Sequence, residues 1–223
     1  MLRESFGVPE RRVAASVPAV DSEDVPKTVR VKLFDGKTLT GWTKQGGEGT
    51  FEVKDGAIVG TWVIGNESAY LVHELTLEDF ELTCEFKPDP GLNSGVQFRS
   101  LLKPDIKGKV QGYQYEIDPT DRGLSAGVYD QSRRGWLMPP DEPAAREAWK
   151  EKGRRLKIGD WNQLRIECRG ARIRTWLNGE PMADLEDSET LKGFIAFQVH
   201  HTKDPKLAGK TVAWRNIWIR SLD

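Results

Sequence analysis

The chain contains only two cysteines and three histidines in 223 residues. No Cys-x-x-Cys pair occurs, so a zinc ribbon and a dithiol redox motif are both excluded. Charge of one sign is lacking too: 33 basic residues face 34 acidic ones, a net charge of −1. Nothing in that balance favours nucleic acid or an anionic membrane as a partner. No apolar run approaches the ~20 residues that a membrane-spanning helix needs. A phosphate-binding loop, a dinucleotide glycine fingerprint, a Gly-x-Ser-x-Gly elbow and EF-hand spacing are all missing. There is no internal repeat and no low-complexity tract. One globular domain is the simplest reading. A chain of this length buries roughly 70% of its unfolded surface, enough for a core without covalent staples.

Residues 1–28 contain Pro9, Pro18 and Pro26, mixed charges and no signal-peptide apolar core. They read as a flexible N-terminal arm preceding one domain over residues 29–223. Cys84 lies on the alternating apolar face Phe80-Leu82-Cys84-Phe86, and Cys168 on Leu164-Ile166-Cys168. Both are expected as buried free thiols. A disulfide between facing strands stays open, because its geometry is not readable from sequence.

Strand periodicity dominates after the arm. Val29–Phe34 is β-branched and alternating, and Phe80–Lys87 alternates apolar and polar throughout. Asp55-Gly56 and Asn178-Gly179 each separate two strand-like runs, the strongest short signal for a two-residue hairpin. Further strands are expected at 70–72, 127–129, 162–169, 193–200 and 211–220. One helix is expected, with Asp141 as cap, Pro143 in its first turn and a stop at Gly153. Many short strands with Gly, Pro, Asn and Asp turns, and eight tryptophans to fill two inner faces, predict an all-β fold, a β-sandwich or jelly roll of two antiparallel sheets.

Three strands carry unusual wet faces. Val96 and Phe98 point one way, Gln97 and Arg99 the other; Gln114, Glu116 and Asp118 share a face; so do Ala196, Gln198 and His200. A solvated face normally carries Lys, Thr and Glu. Amide, guanidinium, carboxylate and imidazole groups at strand centres instead suit a polyhydroxylated ligand, so a shared concave sugar site is expected. Tyr113 and Tyr115 have core parity. Tyr129 sits at a strand end within reach of the groove, Asn93 precedes the first polar strand, and Trp136 is a candidate platform for a sugar ring. Arg133 and Arg134 read as a solvated turn with one possible hydroxyl contact. His200 and His201 are adjacent and point to opposite faces, so they do not chelate one ion together. Asp118, Asp121 and Asp130 are loop-edge carboxylates compatible with calcium, but no catalytic metal and no cofactor are expected.

The segments Leu33–Trp42, Asn93–Arg99, Gly112–Asp118, Asp160-Trp161-Asn162, Leu177-Asn178-Gly179, Gly193–His200 and Trp214–Ile217 together resemble the domain-of-unknown-function family 1080, also called the 3-keto-disaccharide hydrolase domain. The likeness runs over roughly residues 30 to 222. It implies a concanavalin-like jelly roll, bacterial origin, periplasmic or secreted location, and action on 3-keto sugars. Much of the family has Glu at the position of Gln114 and Gln at that of Glu116; the exchange here still leaves one carboxylate on the groove face. A ketone at sugar C3 acidifies the C2 hydrogen, and the resulting enolate expels the C1 substituent. On this reading Glu116 is the base, Arg99 stabilises the enolate, and His200 donates to the leaving oxygen or orients Glu116. Asn93, Gln97, Gln114, Asp118, Tyr129, Trp136 and Gln198 bind the sugar. The alternatives are a non-catalytic carbohydrate-binding module, which needs no base, and a structural or adhesion domain, which an exposed apolar patch would mark.

Overall fold

The computed structural model describes residues 29–222, so the arm expected over 1–28 lies outside the described residues. Two antiparallel sheets face each other across one core. Numbering strands in chain order, the first sheet runs β10 (Gly135–Met138), β9 (Val128–Gln131), β8 (Val110–Ile117), β7 (Ser94–Leu102), β14 (Gly193–Val199), β5 (Ala69–Leu77) and β2 (Trp42–Gly46). The second runs β13 (Glu180–Glu186), β12 (Arg172–Leu177), β11 (Asn162–Arg169), β6 (Phe80–Pro88), β15 (Thr211–Ser221), β4 (Ala57–Thr61) and β3 (Thr50–Lys54), with β1 (Arg30–Lys32) also paired to β15. This is the two-sheet sandwich that the alternation predicts and the jelly roll that the resemblance implies.

Local sequence explains the pieces. In β6, Phe80, Leu82, Cys84 and Phe86 are buried while Glu81, Thr83, Glu85 and Lys87 are not. Each buried large apolar side chain contributes ~1.5–3 kcal/mol relative to exposure. Both two-residue hairpins form with every turn residue at positive φ: Asp55 at 50° and Gly56 at 74°, Asn178 at 51° and Gly179 at 84°. That conformation twists the turn to match its strands. Cys84 faces Leu164 and Cys168 faces Phe80 along the same strand pair, so the thiols stand four ladder positions apart and both remain free.

Some boundaries differ from the sequence expectation. The first strand stops at Lys32, because Asp35 turns the chain by accepting the Lys37 and Thr38 amide hydrogens at 2.7 and 2.8 Å. The strand expected at 70–72 extends over nine residues through His73. That histidine packs its edge on Trp42, accepts the Leu75 amide hydrogen at 3.1 Å, and is pushed down to about 4 by burial. Strands β2 and β10 carry no clean alternation and were not expected. The helix, α1 (Pro143–Gly153), starts after Glu142 without a side-chain cap. Asp141 instead pairs with Arg146 at 3.1 Å.

The first sheet is unusual in being buried on both faces at its centre; every residue of β14 is buried. Its inner face feeds the main core through Ile195, Phe197 and Val199. Its outer, concave face holds a second small cluster of Tyr70, Val72, Val110, Phe194 and Ala196. The loop between β7 and β8 arches from mid-sheet to the edge strand β2, where a Cβ on Gly108 would stand 2.8 Å from the Gly46 nitrogen.

A bulge in β7 overturns one parity assignment. The register with β8 slips between Phe98 and Leu101, and Arg99 adopts φ 43°, the left-handed region. Its side chain therefore leaves the Gln97 face. The buried guanidinium donates to the Glu78 carbonyl at 2.8 Å, the Gly170 carbonyl at 2.7 Å and Asp79 at 3.0 Å. Glu78 and Asp79 lie in the β5–β6 connection and Gly170 in the β11–β12 turn, so Arg99 clamps the two sheets together at one end. Replacing it removes all three bonds, one of them an ion pair, at the sheet-to-sheet contact. Arg99→Met is expected to lower unfolding free energy by about 3 kcal/mol in chemical denaturation. A loss under about 0.5 kcal/mol would contradict the clamp.

Candidate active site

Register places the polar residues of the concave face in two parallel rows. One runs Tyr70, Gln198, Gly95, Glu116 across β5, β14, β7 and β8. The next runs Val72, Ala196, Gln97, Gln114, Tyr129, Trp136 across β5, β14, β7, β8, β9 and β10. Gly95 sits where a Cβ would come within 2.4 Å of the Gln114 side chain. The missing side chain lets Gln114 lie flat over β7 and reach along its own strand to Glu116.

A directed chain of hydrogen bonds ends on that carboxylate. Ser100 Oγ donates to Gln97 Oε1 at 2.9 Å, Gln97 Nε2 to Gln114 Oε1 at 2.5 Å, and Gln114 Nε2 to Glu116 Oε2 at 2.8 Å. Asn93 Nδ2 donates to Glu116 Oε1 at 3.0 Å, and Arg122 Nη2 reaches the same oxygen at 3.3 Å. Glu116 is 2% exposed. Burial pushes its carboxyl up to about 7, against the lowering effect of the Asn93 and Gln114 donors. Desolvation of the charged form outweighs the donors that hold it.

A cavity of about 240 Å³ opens above this carboxyl, lined by Asn93, Gln114, Glu116, Arg122, Tyr129, Gln131, Trp136, Gln198 and His200. Tyr129 and Trp136 meet edge to face at 5.2 Å on one wall, with the Arg146 guanidinium of α1 5.2 Å from the Trp136 ring centre. On the other wall, burial holds His200 below the usual histidine range. Its Nδ1 lies 2.8 Å from the His201 carbonyl, which accepts only; the neutral ring therefore carries its hydrogen there and leaves Nε2 as an acceptor. Arg122 comes from the β8–β9 loop, with half its side chain exposed, and is gripped by Asp118 at 3.2 Å. That loop is braced by α1: Trp149 donates to the Ser125 carbonyl at 3.2 Å, and Gly153 packs against Gly123.

Of the ten residues expected at the site, Asn93, Gln114, Glu116, Tyr129, Trp136, Gln198 and His200 line this cavity. Three do not. Arg99 is turned away by its bulge and saturated by protein acceptors. Gln97 lies behind Gln114, fully buried, and buttresses it. Asp118 faces its own loop, accepting from Thr120 and Leu124 and holding Arg122. Two lining residues went unanticipated. Arg122 sits in an aperiodic loop, where its only signal was a lone arginine four residues after Asp118. Gln131 follows Tyr129 by two on β9, which runs two residues beyond the strand expected at 127–129. Arg133 and Arg134 both bind the buried Asp130, at 2.6 and 2.5 Å, so neither is a free sugar contact. Tyr113 and Tyr115 are core residues, as their parity indicates.

A larger depression of about 470 Å³ lies on the outer face of the second sheet between Trp176 and Trp218. Its Arg165 stacks 4.0 Å from the Trp176 ring centre and pairs with Glu81 and Glu167; the contacts from Arg174 and then Arg165 hold the Glu167 carboxyl down against its burial. Its one lining carboxylate, Glu85, is a quarter exposed and paired with Arg215 at 2.6 Å, so the concave cavity with its buried carboxyl is the better chemical site.

The fold is a two-sheet jelly-roll sandwich with a polar cavity on one face, and comparison with known proteins gives its family. The chain belongs to the 3-keto-alpha-glucoside-1,2-lyase-like domain family, whose model matches residues 30–220. No curated protein matches the chain. Among solved structures it is similar to a candidate glycosyl hydrolase from Parabacteroides distasonis, at 20% identity and TM-score 0.60, over 87% of this chain and 94% of that one. A carbohydrate-binding module, CBM66 from Bacillus subtilis, matches at 15% identity and TM-score 0.54 over 92% and 100% of the two chains. A galectin-like protein of unknown function from Bacillus subtilis matches at 13% identity and TM-score 0.53 over 89% and 97%. At these identities the likeness is one of fold. Among the described residues no helix is long and apolar enough to cross a membrane.

Burial of Glu116 has a consequence for stability. Its folded pKa of about 7 exceeds the ordinary value of 4.5. The native state therefore binds this proton more tightly than the unfolded chain does. The associated stabilisation is full below pH about 4.5 and is lost as pH rises through about 7. The unfolding free energy from chemical denaturation is expected to fall between pH 5 and pH 8 by an amount on the order of 1–3 kcal/mol, and Glu116→Gln should flatten that slope. An unchanged slope in the variant would mean that Glu116 titrates normally.

Proposed function

We propose that the protein cleaves 3-keto-glucosides by β-elimination at the concave cavity, with Glu116 as the base. The observation that carries this reading is the buried carboxyl held near neutrality inside a pocket of sugar-type hydrogen-bonding groups. A general base works best when its pKa lies near the working pH, and a simple binding surface has no need of one. The family to which the chain belongs supports the reaction class.

The step balances within the pocket. The Glu116 carboxylate takes the C2 hydrogen of the 3-keto ring, and the C–H electrons form the C2–C3 enolate. Arg122 is the cation that lines the cavity, and it replaces Arg99 as the group that stabilises charge on the C3 oxygen. The enolate collapses, a C1–C2 double bond forms, and the C1–O bond breaks. The departing oxygen takes its proton back from the Glu116 carboxylic acid. Addition of water across the new double bond converts elimination into net hydrolysis. Neutral His200 presents Nε2 as a second acceptor and does not begin the cycle as a proton donor. Asn93 and Gln114 hold Glu116, and Tyr129 with Trp136 forms the apolar wall against the ring.

The competing reading is a non-catalytic carbohydrate-binding module, favoured by the fold shared with CBM66. Turnover and isotope exchange separate the two. Wild type incubated with a 3-keto-glucoside in deuterated buffer should exchange the C2 hydrogen and release the aglycone. Its kcat/KM should rise with pH through about 7 and then level, as the carboxylate form fills. Glu116→Gln should bind the sugar while losing ~10²–10⁴ in rate. Retention of wild-type exchange by that variant would transfer the base role to His200. Glycan binding by wild type with neither exchange nor cleavage on any keto-glucoside would establish the binding module instead.

A further inference from the structure

Gln198 lines the cavity with 1% of its surface exposed. Its Nε2 donates to the Tyr70 hydroxyl at 3.2 Å. Its Oε1 is the one buried side-chain oxygen without a hydrogen-bond partner among the described residues. Neighbouring amides behave differently: Gln97 and Gln114 both accept and donate within the chain that ends on Glu116. A buried acceptor left unpaired is unfavourable, and a ligand hydroxyl brought within reach relieves it.

The position of this acceptor fixes what it reads. Gln198 and Glu116 occupy the same cross-sheet row, separated only by Gly95. Two strand spacings set their Cα atoms about 9–10 Å apart. Gly95 carries no side chain of its own there, and the flat Gln114 amide covers it as a floor between the two. A pyranose ring laid along that row is held at opposite edges by the two side chains. With the C2 hydrogen at Glu116, the opposite edge is C5, whose flanking hydroxyls are those on C4 and C6. The ring oxygen beside them has no hydrogen to give.

We propose that Gln198 is the specificity-determining residue for the ring edge opposite the reacting carbon, accepting a hydrogen bond from the C4 or C6 hydroxyl. The assignment rests on the proposed cleavage at C2, which orients the ring. It makes the enzyme demand a hydroxylated glucoside and reject the deoxy sugar that would leave Oε1 unpaired. Sites built around a substrate hydroxyl discriminate far more strongly than apolar pockets do.

The test compares a methyl 3-keto-glucoside with its 4-deoxy and 6-deoxy analogues, by turnover and by calorimetric binding, on wild type and on Gln198→Met. Wild type should favour the parent over one of the two deoxy analogues by about 10²-fold or more in kcat/KM. In Gln198→Met the parent should fall to the level of that analogue, while the analogue itself is handled as by wild type. Equal handling of all three sugars by a wild-type enzyme that turns them over overturns the assignment and leaves the cleavage reading standing. Binding with the predicted discrimination but no turnover supports the assignment and overturns catalysis. A wild type that binds none of the three overturns both. The deoxy comparison on wild type needs no variant to fold.

Discussion

One carboxyl group organises the concave face. Glu116 lies near the end of β8, the third of the sheet's seven strands, with almost no contact with solvent, and an ion there must be solvated by the protein itself. Asn93, Gln114 and Arg122 do that, and each needs its own support. Gln114 is aimed by Gln97 and Ser100 and lies flat only because residue 95 is glycine. Arg122 is aimed by Asp118, whose loop is braced by the one helix. The cavity is thus the visible end of a polar network that runs back through two strands and a loop.

The arrangement divides labour between rigid and looser parts. Strand residues set the floor, where register holds Gln198, Gly95 and Glu116 in line to within the spacing of the sheet. The loop residue Arg122 supplies a positive charge from a half-exposed position, paired with Asp118. Tyr129 and Trp136 close the wall at the sheet edge, with Arg146 backing the indole. This separation suits a reaction in which proton removal needs fixed geometry.

Much of the architecture was legible in the sequence because period-two alternation and Asp-Gly or Asn-Gly turns are local signals. Phe80–Pro88, both hairpins and the two buried thiols follow from residues a few positions apart. The polar faces of β8 and β14 were legible for the same reason, which is how Gln114, Glu116, Gln198 and His200 could be grouped. Parity fails at a bulge. Arg99 shares its sequence parity with Gln97, yet a left-handed residue and a register slip send it to the end of the sandwich. Nothing local to Phe98-Arg99-Ser100 announces that, since the acceptors it satisfies lie 20 and 71 positions away. Arg122 was hidden for the converse reason: loops have no period, and its role depends on a fold that brings the β8–β9 turn over the groove.

The central claim is that Glu116 is a buried carboxyl poised near neutrality, and its titration tests this without any assumption about substrate. Carbon-13 NMR of protein labelled at the glutamate carboxyl carbon, with the Glu116 signal assigned by its loss in Glu116→Gln, gives the value directly. The account predicts a midpoint of about 7. A midpoint at the ordinary 4.5 would contradict it, because a carboxylate fully ionised at that pH is not the desolvated base on which the reading depends.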